Sequence, residues 1–119
     1  MLRLDEEVPG RDLLIGGNGA DQLFGGGGDD ILVAGSTAFD EDPDSLQAIM
    51  AEWTSGNSYA TRVNNLRGGG GANDTVTLDS TTVVDEGAAD TLWGQTGQDW
   101  FLTGIHSKLR DRARNELVN

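Results

Sequence analysis

The 119-residue sequence contains no cysteine, so no disulfide can staple the fold and no thiolate can hold zinc or attack a substrate. Histidine occurs once, at His106, which is too little nitrogen for a zinc centre or a nucleophile–base pair. Ser107 beside it is only a sequence neighbour. Bases are scarce: 8 against 20 acids, a net charge of −12 at pH 7. This balance argues against nucleic-acid binding. Residues 1–105 hold 18 acids and 4 bases, so the remaining bases, Lys108, Arg110, Arg112 and Arg114, sit in the last stretch. No apolar run is long enough to span a membrane, and the opening residues 1–7 lack the apolar core of a signal peptide. Apolar residues make up 36%, a thin core for one domain with no staples. Such a chain repels itself and compacts poorly without cations.

Glycine is plentiful, at 18 residues, and it is phased. Residues 7–33 read as three nines: Glu7-Val-Pro-Gly-Arg-Asp-Leu-Leu-Ile15, Gly16-Gly-Asn-Gly-Ala-Asp-Gln-Leu-Phe24 and Gly25-Gly-Gly-Gly-Asp-Asp-Ile-Leu-Val33. Asp12, Asp21 and Asp30 recur nine apart, each followed two residues on by Leu14, Leu23 or Leu32. The pattern is the G-G-x-G-x-D-x-U-x nonapeptide, the signature of a calcium-binding parallel β-roll. Six residues turn, with glycine reaching φ > 0 without strain, and three form a strand whose middle side chain points inward. Two more nines, 85–93 and 94–102, place Asp90 and Asp99 nine apart. Gly69-Gly-Gly-Ala-Asn-Asp-Thr-Val-Thr77 puts Asp74 at position six. The step from Asp74 to Asp90 is 16 residues, two short of two repeats, so the register there is open.

Residues 40–67 differ in character. Leu46, Ile49, Met50 and Trp53 recur at i, i+3, i+4 and i+7, which predicts an amphipathic helix capped by Asp42, Asp44 or Ser45 and ended by Gly56. A second helix is expected over 58–66, making a helical hairpin insert. Residues 75–84, rich in β-branched side chains, are expected to be strand. A short helix is expected over 107–117.

These repeats resemble the RTX repeats of secreted bacterial proteins. The split set of repeats, the Ile49-Met-Ala-Glu-Trp-Thr54 insert and the Gly97-Gln-Asp-Trp-Phe101 segment resemble the C-terminal region of large secreted calcium-binding members. The resemblance implies that successive strands alternate between two parallel sheets and that Ca²⁺ sits between loops i and i+2. It also implies export by type I secretion, with residues 108–119 as the signal or as a cap on the roll.

The expected architecture is mainly β: one domain over 1–119, with a β-roll in two parts (7–39 and 68–102), a helical insert (40–67) and a basic C-terminal cap, helical or irregular (103–119). Expected carboxylate ligands are Asp12, Asp21, Asp30, Asp90 and Asp99, then Asp74 and Asp85. Loop oxygens at Gly16, Asn18, Gly25, Gly27, Asp29, Gly94 and Thr96 would complete shells of six to eight oxygens. Glu7, Val8, Glu86, Ala88 and Gln95 depart from the pattern. The expected function is a non-enzymatic, secreted module that folds on several Ca²⁺ ions. The alternative is a calcium-stabilised subunit that assembles with copies of itself or serves a larger parent chain.

Two further expectations come from the residues themselves. Positions seven and nine of the repeat strands should face outward, yet Leu13, Ile15, Ile31 and Val33 are aliphatic and share one sheet. Such a patch needs cover, and the Leu46/Ile49/Met50/Trp53 face would supply it. Asp40-Glu-Asp-Pro-Asp44 opens like an EF-hand loop, but Ser45 and Ala51 stand where glycine and glutamate belong. It reads as an acidic helix start. No glycine run has the form of a phosphate loop.

Overall fold

The computed structural model describes residues 2–4, 10–85, 87–113 and 116–119. The departures at Glu7, Val8 and Glu86, and the base Arg114, lie outside these residues.

Every repeat strand is three residues long, because the glycine turns on either side leave no more chain to pair. Strands β2 (Leu13–Ile15), β3 (Gln22–Phe24) and β4 (Ile31–Val33) come from the first repeats, and β7 (Thr91–Trp93) and β8 (Trp100–Leu102) from the later ones. They sort alternately into two sheets. One, here sheet A, has the order β1 (Leu2–Leu4), β2, β4, β8, β10 (Leu117–Val118); the other, sheet B, has the order β3, β7, β9 (Lys108–Leu109). All pairings among the repeat strands are parallel. The middle side chains, Leu14, Leu23, Leu32, Leu92 and Phe101, are fully buried and form one core cluster between the sheets. At the free edge of β2, strand β1 (Leu2–Leu4) pairs antiparallel, and Arg3 bonds Asp12 at 2.7 Å.

The chain leaves this stack after β4 and rejoins it at β7. Between them lie β5 (Ser36–Thr37), α1 (Pro43–Trp53), α2 (Tyr59–Gly68) and β6 (Val83–Val84). Asp42 caps α1 by accepting from Ser45 N, with Pro43 at the start, where its missing N–H costs nothing. Ser58 caps α2 by accepting from Thr61 N. Thr54, not Gly56, closes α1.

The insert lies on the outer face of sheet A. Leu13, Ile15, Ile31, Val33, Trp100 and Leu102 share a second core cluster with Leu46, Ile49, Trp53, Tyr59, Val63 and Leu66. Met50 is half-buried against it. The aliphatic patch is therefore covered by the helix face expected to cover it. At about 25 cal/mol per Å² of apolar surface, each such side chain contributes roughly 1.5–3 kcal/mol. This second core compensates for an interior between the sheets only one side chain deep.

Two further expectations fail. Within 75–84 only Val83–Val84 is strand, paired antiparallel with β5. Local side-chain bonding wins there. The Asp79 carboxylate accepts from Thr81 N at 2.8 Å and from the Thr77 and Thr81 hydroxyls, and the Thr82 hydroxyl donates to Thr77 O. Such bonds hold the backbone in turns rather than in a ladder. Second, the described part of 107–117 contains no helix. Lys108–Leu109 forms β9 on the edge of β7, and Leu117–Val118 forms β10 on the edge of β8. The physical reason is edge pairing: Leu109 aligns with Leu92 and Val118 with Phe101, and both extend the inner core. The basic segment thus continues both sheets.

Candidate metal centre

Each repeat strand is preceded by an acid, so stacking the strands stacks the acids. Along sheet A the series is Asp12, Asp30, Asp99 and Glu116. Asp12 N donates to Asp30 Oδ1 at 2.9 Å, Asp30 N to Asp99 Oδ1 at 2.8 Å, and Asp99 N to Glu116 Oε2 at 2.8 Å. Along sheet B, Asp21 N donates to Asp90 Oδ1 at 2.6 Å. Asp30 and Asp99 are 0% exposed, and Asp12, Asp90 and Glu116 are also buried.

The Oδ1 atoms of Asp30, Asp90 and Asp99 are satisfied, but three of the second oxygens are not. Asp21 Oδ2, Asp30 Oδ2 and Asp99 Oδ2 are buried without a hydrogen-bond partner. An unsatisfied buried carboxylate oxygen is costly, of order 1–3 kcal/mol or more. Burial accordingly pushes the Asp30 carboxyl up to about 8 and the Asp99 carboxyl up to about 10. Burial also raises Asp90. A cation at these oxygens would remove both penalties.

The loops around these oxygens face each other position by position. Across the insert, Gly25–Asp30 aligns with Gly94–Asp99. A methyl at Gly25 would stand 2.7 Å from Asp30 Oδ2 and 2.7 Å from Gly94 O; at Gly27 it would meet Thr96 Oγ1 at 3.6 Å; at Gly97 it would collide with Gly28 O. Gln98 N donates to Asp29 Oδ1 at 2.7 Å. The first glycine is thus required because a carboxylate oxygen and a carbonyl converge where its Cβ would be. On the other edge, a methyl at Gly16 would lie 3.1 Å from both Asp21 Oδ2 and Ala34 O. Positions two and four run at positive φ in Gly17/Gly19 and Gly26/Gly28, and Gln95 occupies that conformation at φ 67°.

The donor set suits a hard cation. Among the described residues no three His, Cys, Asp or Glu side chains converge on one point. Any ion must be held by carboxylates taken singly or in pairs together with backbone carbonyls. That is oxygen-only chemistry of the kind Ca²⁺ accepts.

The expected ligands divide accordingly. Asp12, Asp21, Asp30, Asp90 and Asp99 are brought into the stacks, with Gly16, Gly25, Gly27, Gly94 and Thr96 in the facing loops. Asn18 lies in the exposed loop of the second repeat. Asp74 lies outside the stacks, exposed, at φ 55° in a turn. Asp85 is exposed and accepts from Gly87 N and Ile105 N. Asp29 is used by the insert: its carboxylate takes Arg62 at 2.8 Å, and its carbonyl takes Trp53 Nε1 at 2.8 Å. Arg62 also lies over the Trp53 ring, 4.5 Å from its centroid. Two functional residues escaped the sequence reading. Glu116 ends the sheet A ladder, and Asp111 accepts from Gly94 N and Gln95 N. Glu116 could have been found: it precedes Leu117-Val118 as the repeat aspartates precede their strands. Asp111 carried no such signal.

Two sheets of short, mostly parallel strands, edged by glycine loops and stacked carboxylates, define a repeat protein with an oxygen-lined candidate site for a cation. Residues 8–37 and 77–105 match the family model of the RTX calcium-binding nonapeptide repeat (4 copies). The match supports an RTX repeat domain and a calcium-binding module. No curated protein and no solved structure matches the chain. No described helix is long and apolar enough to cross a membrane.

Proposed function

We propose that this chain is a non-enzymatic module that binds several Ca²⁺ ions between facing glycine loops of a β-roll and folds as it binds them. The observation that carries this is the set of unpartnered buried oxygens of Asp21, Asp30 and Asp99, each beside a glycine loop. The sheet A edge would hold ions with Asp30, Asp99 and carbonyls of loops 25–29 and 94–98. The sheet B edge would use Asp21 and Asp90. When bound, Ca²⁺ supplies charge neutralisation to a chain of net charge −12. Asp74 and Asp85 would then serve as turn and loop residues.

RTX repeats are typical of secreted proteins, and export in an unfolded, low-calcium state followed by folding outside accords with this coupling. Residues 108–119 could still be read as a type I secretion signal while closing both sheets. The assembly alternative loses one support, since the sheet A aliphatics are covered by the insert.

The test is a Ca²⁺ titration of chelated protein followed by far-ultraviolet circular dichroism, with Mg²⁺ as control. A cooperative coil-to-β transition that Mg²⁺ does not reproduce is expected. A chain already folded in chelator and indifferent to Ca²⁺ would sink the proposal.

A further inference from the structure

We propose that the bare outer face of sheet B is a binding surface for an acidic polysaccharide. By the alternation of β3, β7 and β9, this face presents Gln22, Phe24, Thr91, Trp93, Lys108 and, just past β9, Arg110. Leu23 and Leu92 point the other way and are fully buried. Phe24 and Trp93 stack at 4.4 Å with rings 5° from parallel, and Phe24 remains 46% exposed. Lys108 and Arg110 are exposed, and neither forms an ion pair within the described residues.

That composition stands out in a chain of 20 acids and 8 bases. Among the described residues, the alternation of the strands places no carboxylate on the face. Asp21 and Asp90 precede its strands and belong to the loop edge, while Asp111 beside Trp93 is taken by the N–H groups of Gly94 and Gln95. Two free cations and an exposed aromatic stack match a ligand with spaced negative charges and apolar C–H faces. Sugar rings carrying carboxylate or sulfate groups have both.

Size decides against a protein partner. Strands of two or three residues, at ~4.8 Å spacing and ~3.3 Å rise, give a face of about 14 by 10 Å, on the order of 150 Å². A stable protein interface needs about 800 Å² per partner. A narrow chain fits; a globular copy does not. Nucleic acid also offers anions and stacking surfaces, and the net charge of −12 opposes it as it opposes any polyanion; its charge on every nucleotide, unlike the spaced charges of hyaluronan, exceeds what two cations can pair.

The experiment is affinity electrophoresis of the Ca²⁺-loaded protein through gels containing hyaluronan, dextran sulfate, neutral dextran or oligo(dT). Retardation by one or both acidic polysaccharides but not by neutral dextran is expected. Lys108→Gln with Arg110→Gln should weaken it about tenfold through two lost surface charge contacts. Phe24→Gln should weaken it independently. Circular dichroism of each variant in Ca²⁺ must match the parent, which separates a lost surface from a lost fold. Hyaluronan against dextran sulfate distinguishes carboxylate from sulfate as the anion. Equal retardation of the double variant would place binding on the metal loops and overturn the proposal. So would no retardation of the parent, equal retardation by neutral dextran, or a preference for oligo(dT).

Discussion

Sheets A and B are built from the same nonapeptide, yet one outer face is buried under two helices and the other is open to water. The difference lies in positions seven and nine. On sheet A they are Leu13, Ile15, Ile31, Val33, Trp100 and Leu102, all buried. On sheet B they are Gln22, Phe24, Thr91 and Trp93, with Lys108 on β9 and Arg110 just past it. Middle positions are apolar on both. The interior thus packs either sheet against the other, and the outward positions decide which sheet receives the insert. The edges differ too: sheet A carries two unpartnered carboxylate oxygens, at Asp30 and Asp99, and sheet B one, at Asp21.

That contrast can be broken most severely at the sheet A edge. Asp99→Ala or Asp30→Ala should abolish the calcium-driven transition at millimolar Ca²⁺, while Asp74→Ala, outside both stacks, should leave its midpoint unchanged. Circular dichroism titration measures each, and an altered midpoint for Asp74→Ala would bring that residue back among the ligands.

The covered and open faces should differ next in stability. Trp53→Ala empties a fully buried site and removes the bond to Asp29 O, so a loss of about 3–5 kcal/mol is expected. Phe24→Ala on the open face should cost less than about 1.5 kcal/mol, the scale of one aromatic pair. Urea unfolding in saturating Ca²⁺ compares the two.

A third test uses pH in chelator. Asp30 and Asp99 have folded-state values raised above the ordinary carboxylate value, so the metal-free fold binds their protons more tightly than the unfolded chain does. Their penalty is absent below about pH 4 and grows as pH rises toward 8 and 10. Metal-free β signal should therefore increase on acidification from pH 8 to pH 5. Asp99→Asn should flatten that dependence while losing the calcium response, which separates this pair from general charge repulsion.

The smallest effect is expected at Gln95, a non-glycine residue at φ 67° where the facing loop has Gly26. Gln95→Gly should stabilise the calcium-loaded form by about 0.5–1 kcal/mol, read as a raised unfolding midpoint. No change would mean that the Asp111 bond to Gln95 N already offsets the strain.

Much of this was legible in the residues because it depends on short-range periodicity. Spacing by nine marks the glycine turns and the acids, alternation by two marks Leu14, Leu23 and Leu32 as interior, and the i, i+3, i+4, i+7 pattern marks the helix that covers sheet A. Gly69–Thr77 misled for the same reason: it carries a repeat's residues, but Glu52 holds Ala72 N and Asn73 holds the carbonyls of Asn65 and Val76, so the segment is tied to the insert.

The sequence by itself determined the turn, the strand and the face of each side chain, since these follow from chain geometry over a few residues. Only the tertiary structure decided which loops meet. Asp21 reaches Asp90 and Asp30 reaches Asp99 across 69 residues because β3 and β4 each offered an edge of unpaired backbone that β7 and β8 could fill. The same demand drew Lys108–Leu109 and Leu117–Val118 out of their expected helix and made Glu116 the last acid of the ladder. Strand edges are satisfied by whatever chain can reach them, and no local pattern records that choice.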